Sequence, residues 1–236
     1  MKKTLLALAI VAALAAGQNA YATPVTQTFA DTAINWAEWT DNVTNPAATG
    51  DTYGTPTISS TSVTTDNFAL NAIAFNIGNA YTGVKSGDLF IDANADKTWD
   101  YVVKSYGFTL DSNAILTAGL YAINIGLTDD ASYLTATASN ERTGHATGLA
   151  DMTTARYLGS VGYASEGTVS PYYVAFDFTG LNTALSFDRD FIIGYTFTCA
   201  NDVVYEQVPV PEPGTFAMLG AGLLGLGLFA RRKKQL

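Results

Sequence analysis

Phe191-Ile192-Ile193-Gly194-Tyr195-Thr196-Phe197 decides how the chain is read. Phe191, Ile193, Tyr195 and Phe197 recur at every second residue. That is the period at which side chains share one face of a β-strand. Aromatic and β-branched residues suit such a pleated surface. The same alternation recurs upstream: Tyr172, Val174, Phe176 and Phe178 form one stripe, and Tyr121, Ile123, Ile125 and Leu127 another. Ile73, Phe75 and Ile77 form a third. Residues 88–92 read as a short strand with 99–104 as its partner, and a strand over Tyr106 to Leu110 follows. Ser86-Gly87, Asp129-Asp130 and Thr179-Gly180 are turn signals between these runs. No amphipathic helix of three turns precedes the C-terminal segment, and no repeat of fixed period is present. Many short strands with turns between them predict an all-β fold, a single jelly-roll-like β-sandwich. Before these strands, residues 23–65 are polar, with Trp36 and Trp39 early on. Residues 42–65 are rich in Thr, Ser, Gly, Pro and Asn and read as a long loop or loosely paired strands.

The two ends have another character. Lys2 and Lys3 precede an apolar stretch from Thr4 to Gly17, and Ala20-Tyr21-Ala22 is a small-x-small cleavage site. Residues 1–22 therefore read as a secretory signal peptide, cut between Ala22 and Thr23. At the other end, Thr215 to Ala230 is 16 residues without a charge, followed by Arg231, Arg232, Lys233 and Lys234. As a helix it would span about 24 Å, at ~1.5 Å per residue. That is short for a bilayer core of ~30 Å, but a flanking arginine can snorkel to extend it. Ala217, Ala221 and Gly225 would share a helix face where a second helix could approach. Gly220-x-Gly222-x-x-Gly225 matches a dinucleotide fingerprint in form only, because no strand precedes it. The basic cluster should stay cytoplasmic, leaving the body on the other side. The expected domains are thus a signal peptide (1–22), an exported body (23–208) and a C-terminal segment (209–234) with a transmembrane helix over 215–230.

Between body and helix stands Pro211-Glu212-Pro213. A Pro-Glu-Pro triplet, an apolar helix and a terminal basic cluster, in that order, resemble the PEP-CTERM sorting signal of Gram-negative bacteria. The resemblance implies recognition by exosortase, a membrane-embedded cysteine protease-like enzyme, and cleavage near Pro211, Glu212 and Pro213. It also implies a precursor held transiently in the inner membrane with its body in the periplasm. The body would then be released or passed to the cell surface, in organisms that make extracellular polysaccharide. Two prolines beside a membrane hold an extended backbone, which a protease needs. Gly87-Asp-Leu-Phe-Ile-Asp92 with Trp99-Asp-Tyr101, and Cys199-Ala-Asn-Asp202, also look like segments of β-rich PEP-CTERM bodies. That likeness bears on fold rather than function.

Charge narrows the function classes. The whole chain carries 12 basic and 21 acidic residues. Residues 23–208 alone hold 6 basic and 20 acidic ones, a net charge of −14. Such a body is a poor partner for nucleic acid or anionic lipid. Cys199 is the only cysteine, so no intrachain disulfide supports the fold. It ends an apolar run and reads as a buried thiol, with an intermolecular disulfide as the alternative. Asp92, Asn94, Asp96 and Asp100 match the start of a calcium loop, since a hard cation wants close-spaced oxygens. Lys97 and Val103 depart from that pattern where a glycine and a glutamate belong. The other reading is a plain acidic hairpin turn between Phe90 and Tyr101. Asp88 is a further potential ligand. His145, the sole histidine, sits between glycines in what reads as an exposed loop, without a nucleophile elbow nearby.

The sequence therefore points to no catalytic residue and no required cofactor. The expected role is structural or adhesive, at the cell surface or in an extracellular matrix. One alternative is a carbohydrate-binding module, since 13 tyrosines and 3 tryptophans could supply a sugar-stacking face. The other is a secreted hydrolase using a pair of acids.

Overall fold

A computed structural model gives the fold. The structure describes residues 23–33, 36, 55–79, 83–110, 115–127, 134–136, 145–153, 155–167, 169–210 and 222–223. The signal peptide, the Pro-Glu-Pro triplet, the basic cluster, Trp39 and nearly all of 215–230 lie outside this set. Apart from helical Gly222 and Leu223, the described secondary structure is β, as expected. No helix among the described residues is long and apolar enough to cross a membrane.

The strands, in chain order, begin with β1 (Val25–Ala30), β2 (Thr57–Asp66), β3 (Ala69–Asn79), β4 (Ser86–Asp92), β5 (Trp99–Lys104) and β6 (Ile115–Leu127). They continue with β7 (Leu134–Ala136), β8 (Ala146–Leu149), β9 (Ala155–Glu166), β10 (Tyr172–Asp177), β11 (Phe191–Phe197) and β12 (Val203–Val208). Ten of them form one antiparallel sheet in the order β1-β2-β3-β10-β9-β6-β5-β4-β11-β12. β7 and β8 pair separately as a two-stranded ribbon.

The sheet is nearly closed. Its distant strands meet through polar contacts: the Ile58 N–H donates to the Asp202 carboxylate, and Asn201 Nδ2 donates to the Pro56 carbonyl at 2.6 Å. Gln27 Nε2 likewise reaches the Pro209 carbonyl at 2.8 Å. The interior is one apolar cluster. Ile73, Phe75 and Ile77 of β3 enter it beside Val174 and Phe176 of β10, and all four odd-numbered residues of β11 join them. The Tyr195 ring stacks on Phe75 with centroids 4.2 Å apart and planes 12° apart. β3 and β11 are six steps apart in the sheet order, so this contact crosses the interior.

β4 and β11 are buried along their whole length. Their second face meets another cluster built from Trp36, Phe90, Trp99, Val102 and Ile192, with Ala146 and Leu149 of β8. Two covered faces explain why 191–197 is apolar at nearly every position. Trp36 Nε1 donates to the Val204 carbonyl at 2.8 Å, pinning the segment after β1 over this face. Gly194 makes the packing possible. A Cβ there would sit 2.5 Å from the Trp99 ring and 3.1 Å from Trp36.

Ser86 and Gly87, read as a turn, are instead the buried first residues of β4, and three further sequence expectations change. Residues 57–66 form a long paired strand rather than a loop, irregular in register around Ser59 and Thr64, because Thr61, Val63 and Thr65 alternate inward and small hydroxyl residues lie between them. Tyr106 to Leu110 is not a strand. Tyr106 and Gly107 form a turn, with Gly107 at φ 86°, followed by one bridge from Thr109 to Lys85. His145 is fully buried, as its ring packs edge-on against Trp36 at 4.6 Å.

The packing around Gly194 yields a stability prediction. Gly194→Val drives two methyl groups into the tryptophan pair and should cost about 1–3 kcal/mol. Urea unfolding would register this as a lowered midpoint with little change in slope.

Candidate functional site

The calcium-like residues do share one turn. β4 and β5 form a hairpin in register, with Phe90 opposite Val102 and Ile91 opposite Tyr101. Residues 93–98 connect them, and Ala95 and Lys97 take positive φ angles of 57° and 70°. Asp92 is buried and organises this turn. Its Oδ1 accepts from the N–H groups of Asn94 at 3.2 Å and Asp96 at 3.3 Å, and its Oδ2 accepts from Lys97 at 2.7 Å. Asn94 Oδ1 accepts from the Asp96 N–H at 3.1 Å, and Asp96 Oδ1 from Thr98 at 2.9 Å. Asp100 Oδ2 accepts from the Ala93 N–H at 2.7 Å. A tight turn leaves many backbone donors without ladder partners, and these side chains supply the acceptors.

The electrostatics follow from the crowding. Partial burial raises the Asp100 pKa above its usual carboxylate value. The Ala93 N–H opposes that rise, while Asp92 and Asp96 add to it by repulsion. No group of three or more His, Cys, Asp or Glu side chains arranged to hold a metal occurs among the described residues. The Asn94 amide nitrogen donates to Asp96 Oδ2 at 3.0 Å, so an acceptor oxygen of the proposed set faces a donor. The geometry is that of a turn held by its own carboxylates.

Asp88 does not join that turn. It is fully buried near the far end of β4 and pairs with the Lys104 ammonium group. Its Oδ1 also accepts from the N–H groups of Ser105 at 2.9 Å and Tyr106 at 2.8 Å, and its Oδ2 from Leu149 at 2.8 Å. Lys104 in turn donates to the Leu149 carbonyl at 2.9 Å. A buried ion pair survives when its remaining hydrogen-bonding positions are filled. Here it ties the β7–β8 ribbon to the sheet. The sequence named Asp88 only as a further potential ligand of the turn, and nothing in the spacing pointed to Lys104 or Leu149.

Cys199 is half-buried and forms no disulfide, with its Sγ donating to Asn201 Oδ1 at 3.0 Å, and it packs against the main core. Thr23 is exposed just ahead of β1. Ala22, Pro211, Glu212, Pro213, Arg231, Arg232, Lys233 and Lys234 lie outside the described residues. The described chain does reach the edge of the triplet. β12 ends at Val208, the Pro209 carbonyl is bonded to Gln27, and the Val210 N–H donates to Asp190 Oδ1 at 3.2 Å. Val210 also packs against the main core.

The turn generates two predictions. Asp92→Ala orphans three backbone donors and should cost roughly 2–3 kcal/mol, whereas Asp96→Ala should cost well under half of that. Chemical unfolding of both variants compares them directly. Calorimetric titration with calcium completes the test: heat lost in Asp96→Ala assigns the ion to this turn, and unchanged heat removes calcium from the account. For pH, the folded pKa of Asp100 lies above its unfolded value. Its contribution to stability is therefore complete at low pH and falls as pH rises through the folded value. Asp96→Asn removes one repelling charge and should lower the Asp100 pKa in an NMR titration.

Neither the curated proteins nor the solved structures yield a match to the chain. Residues 209–234 match the family model for the PEP-CTERM protein-sorting motif. The match begins one residue beyond the last strand and covers the segment in which the Pro-Glu-Pro order was read. The chain thus carries a PEP-CTERM protein-sorting motif behind an all-β body.

Proposed function

We propose that this chain is an exported, non-enzymatic surface or extracellular-matrix protein, whose acidic β body is delivered by exosortase acting at Pro211–Pro213. The observation that carries the reading is the junction between body and motif. The fold holds the backbone through Val210, and the motif starts at residue 209. Four residues, Pro211 to Gly214, then separate the folded surface from the apolar segment at Thr215. Fully extended, such a link reaches at most about 14–18 Å, at roughly 3.5 Å per residue. A body tethered this closely sits against the membrane surface until the link is cut. Proline disfavours helix at and just before its own position, which suits a link that a protease must read. After cleavage an acidic body with no free apolar tail remains, suited to an aqueous exterior.

The two alternatives draw less support. A sugar-stacking face needs several exposed rings in a row. Phe75, Phe90, Tyr163, Phe176, Phe191, Tyr195 and Phe197 instead fill the interior, while Tyr106 and Tyr157 are exposed. A hydrolase needs two acids facing across a cleft, yet Asp88, Asp92 and Asp202 each hold at least one oxygen on a backbone N–H group.

Fractionating the native host with and without its exosortase tests the proposal. The body should leave the inner membrane when the enzyme is present and accumulate there when it is absent. An unchanged distribution would overturn the reading.

A further inference from the structure

A groove of about 520 Å³ opens between the sheet and the segment that follows β10. Such a volume suits a small ligand. One wall is a cross-strand row. Tyr101 on β5 pairs with Ala122 on β6, and Ala122 pairs with Arg156 on β9. Residues paired in this way project from the same face of a sheet. Tyr101 packs against the main core, so the row lies on the interior face, at its open end. The register slips between Leu120 and Tyr121, opposite Gly159 and Tyr157. The extra residue there, Leu158, bulges the strand, and bulges re-aim side chains.

The other wall is the segment from Leu181 to Ser186. It is fixed by backbone bonds: the Leu181 N–H donates to Phe178 at 3.1 Å, and the Leu70 N–H donates to Leu185 at 2.7 Å. Ser186 bridges Ala69. Gly159 lets this wall approach, since a Cβ there would lie 2.8 Å from Leu181 Cδ2. The groove is therefore preformed.

Its chemistry is divided. Leu120, Leu158, Leu181 and Leu185 supply an apolar lining, and Tyr101 and Ser186 supply hydroxyls. Arg156 is exposed, is the one charged residue among the described lining, and has no ion-pair partner among the described residues. Asp100, the acid next to Tyr101, is bonded to the Ala93 N–H. Arg156 is also close enough to pull down the Tyr101 pKa, against the burial and the Asp100 charge that raise it. A guanidinium is well shaped to take a carboxylate by two parallel hydrogen bonds.

We propose that this groove binds a small organic carboxylate, with its charged end on Arg156 and Tyr101 and its apolar part along the four leucines. The carboxylate can come from an acyl chain or from a sugar acid, and the leucine lining favours the acyl chain. This inference is independent of the sorting route, so its failure would leave that reading untouched.

The test is calorimetric titration of the protein purified from its host, using sodium octanoate, 1-octanol and sodium glucuronate. Octanoate should bind at one site, with 1-octanol at least tenfold weaker. Arg156→Met should weaken octanoate at least tenfold and leave 1-octanol unchanged. Because Arg156 is exposed, the fold should survive, which circular dichroism checks. Tyr101→Phe is the second variant and should weaken octanoate severalfold. Binding of glucuronate in place of octanoate, lost in Arg156→Met, would support the carboxylate site with a sugar as its source. No binding of either acid, or binding indifferent to both substitutions, would overturn the proposal.

Discussion

The stack of Tyr195 on Phe75 is the contact on which the rest of the structure depends. It joins two strands that are remote in the sheet, and it does so in a chain whose single cysteine allows no intrachain disulfide. With no covalent staple, burial must hold the curl of the sheet. Around the stack, Phe176 meets Tyr195 edge-on with centroids 6.0 Å apart, and Phe197 does so at 5.8 Å. Each such pair adds about 0.5–1.5 kcal/mol beyond its buried area. The Tyr195 hydroxyl bonds to Ser86 Oγ at 2.9 Å, so the polar tip of the ring is satisfied as it is buried.

The acidic composition takes on a structural meaning in this setting. Asp88, Asp92, Asp100, Asp190 and Asp202 each accept from at least one backbone N–H. They stitch together places where ladder bonding stops: the end of β5, the β4–β5 turn, the exit of β12 and the junction of β12 with β2. Carboxylates thus serve as cross-links in a chain whose one cysteine allows no intrachain disulfide. A net charge of this sign and size favours solubility and disfavours polyanions as partners.

Period-two stripes made the central strands legible. Phe191 to Phe197, Tyr172 to Phe178 and Ile73 to Ile77 all stand where alternation put them. The hairpin between Phe90 and Tyr101 was legible too, because both strands and their turn lie close in sequence. β2 was hidden because its alternation is written in Thr and Ser, residues that also make loops. β9 was hidden for a similar reason, since Gly159 and Gly162 interrupt its pattern. The burial of His145 depends on Trp36, 109 residues earlier in the chain, and no local signal reports such a contact. The Asp88–Lys104–Leu149 tie and the groove at Arg156 are likewise products of register and of long-range packing.

The sorting motif and the fold meet at one point. Val210 belongs to the body by its hydrogen bond and its packing, and the next residue opens the Pro-Glu-Pro triplet. On the proposed route the sorting motif is the processing signal and the β body is what it delivers. Mass spectrometry of the C-terminus of protein recovered outside the cells tests this most directly. The account predicts a chain ending within or beside Pro211–Pro213. External protein ending at Leu236 would contradict it.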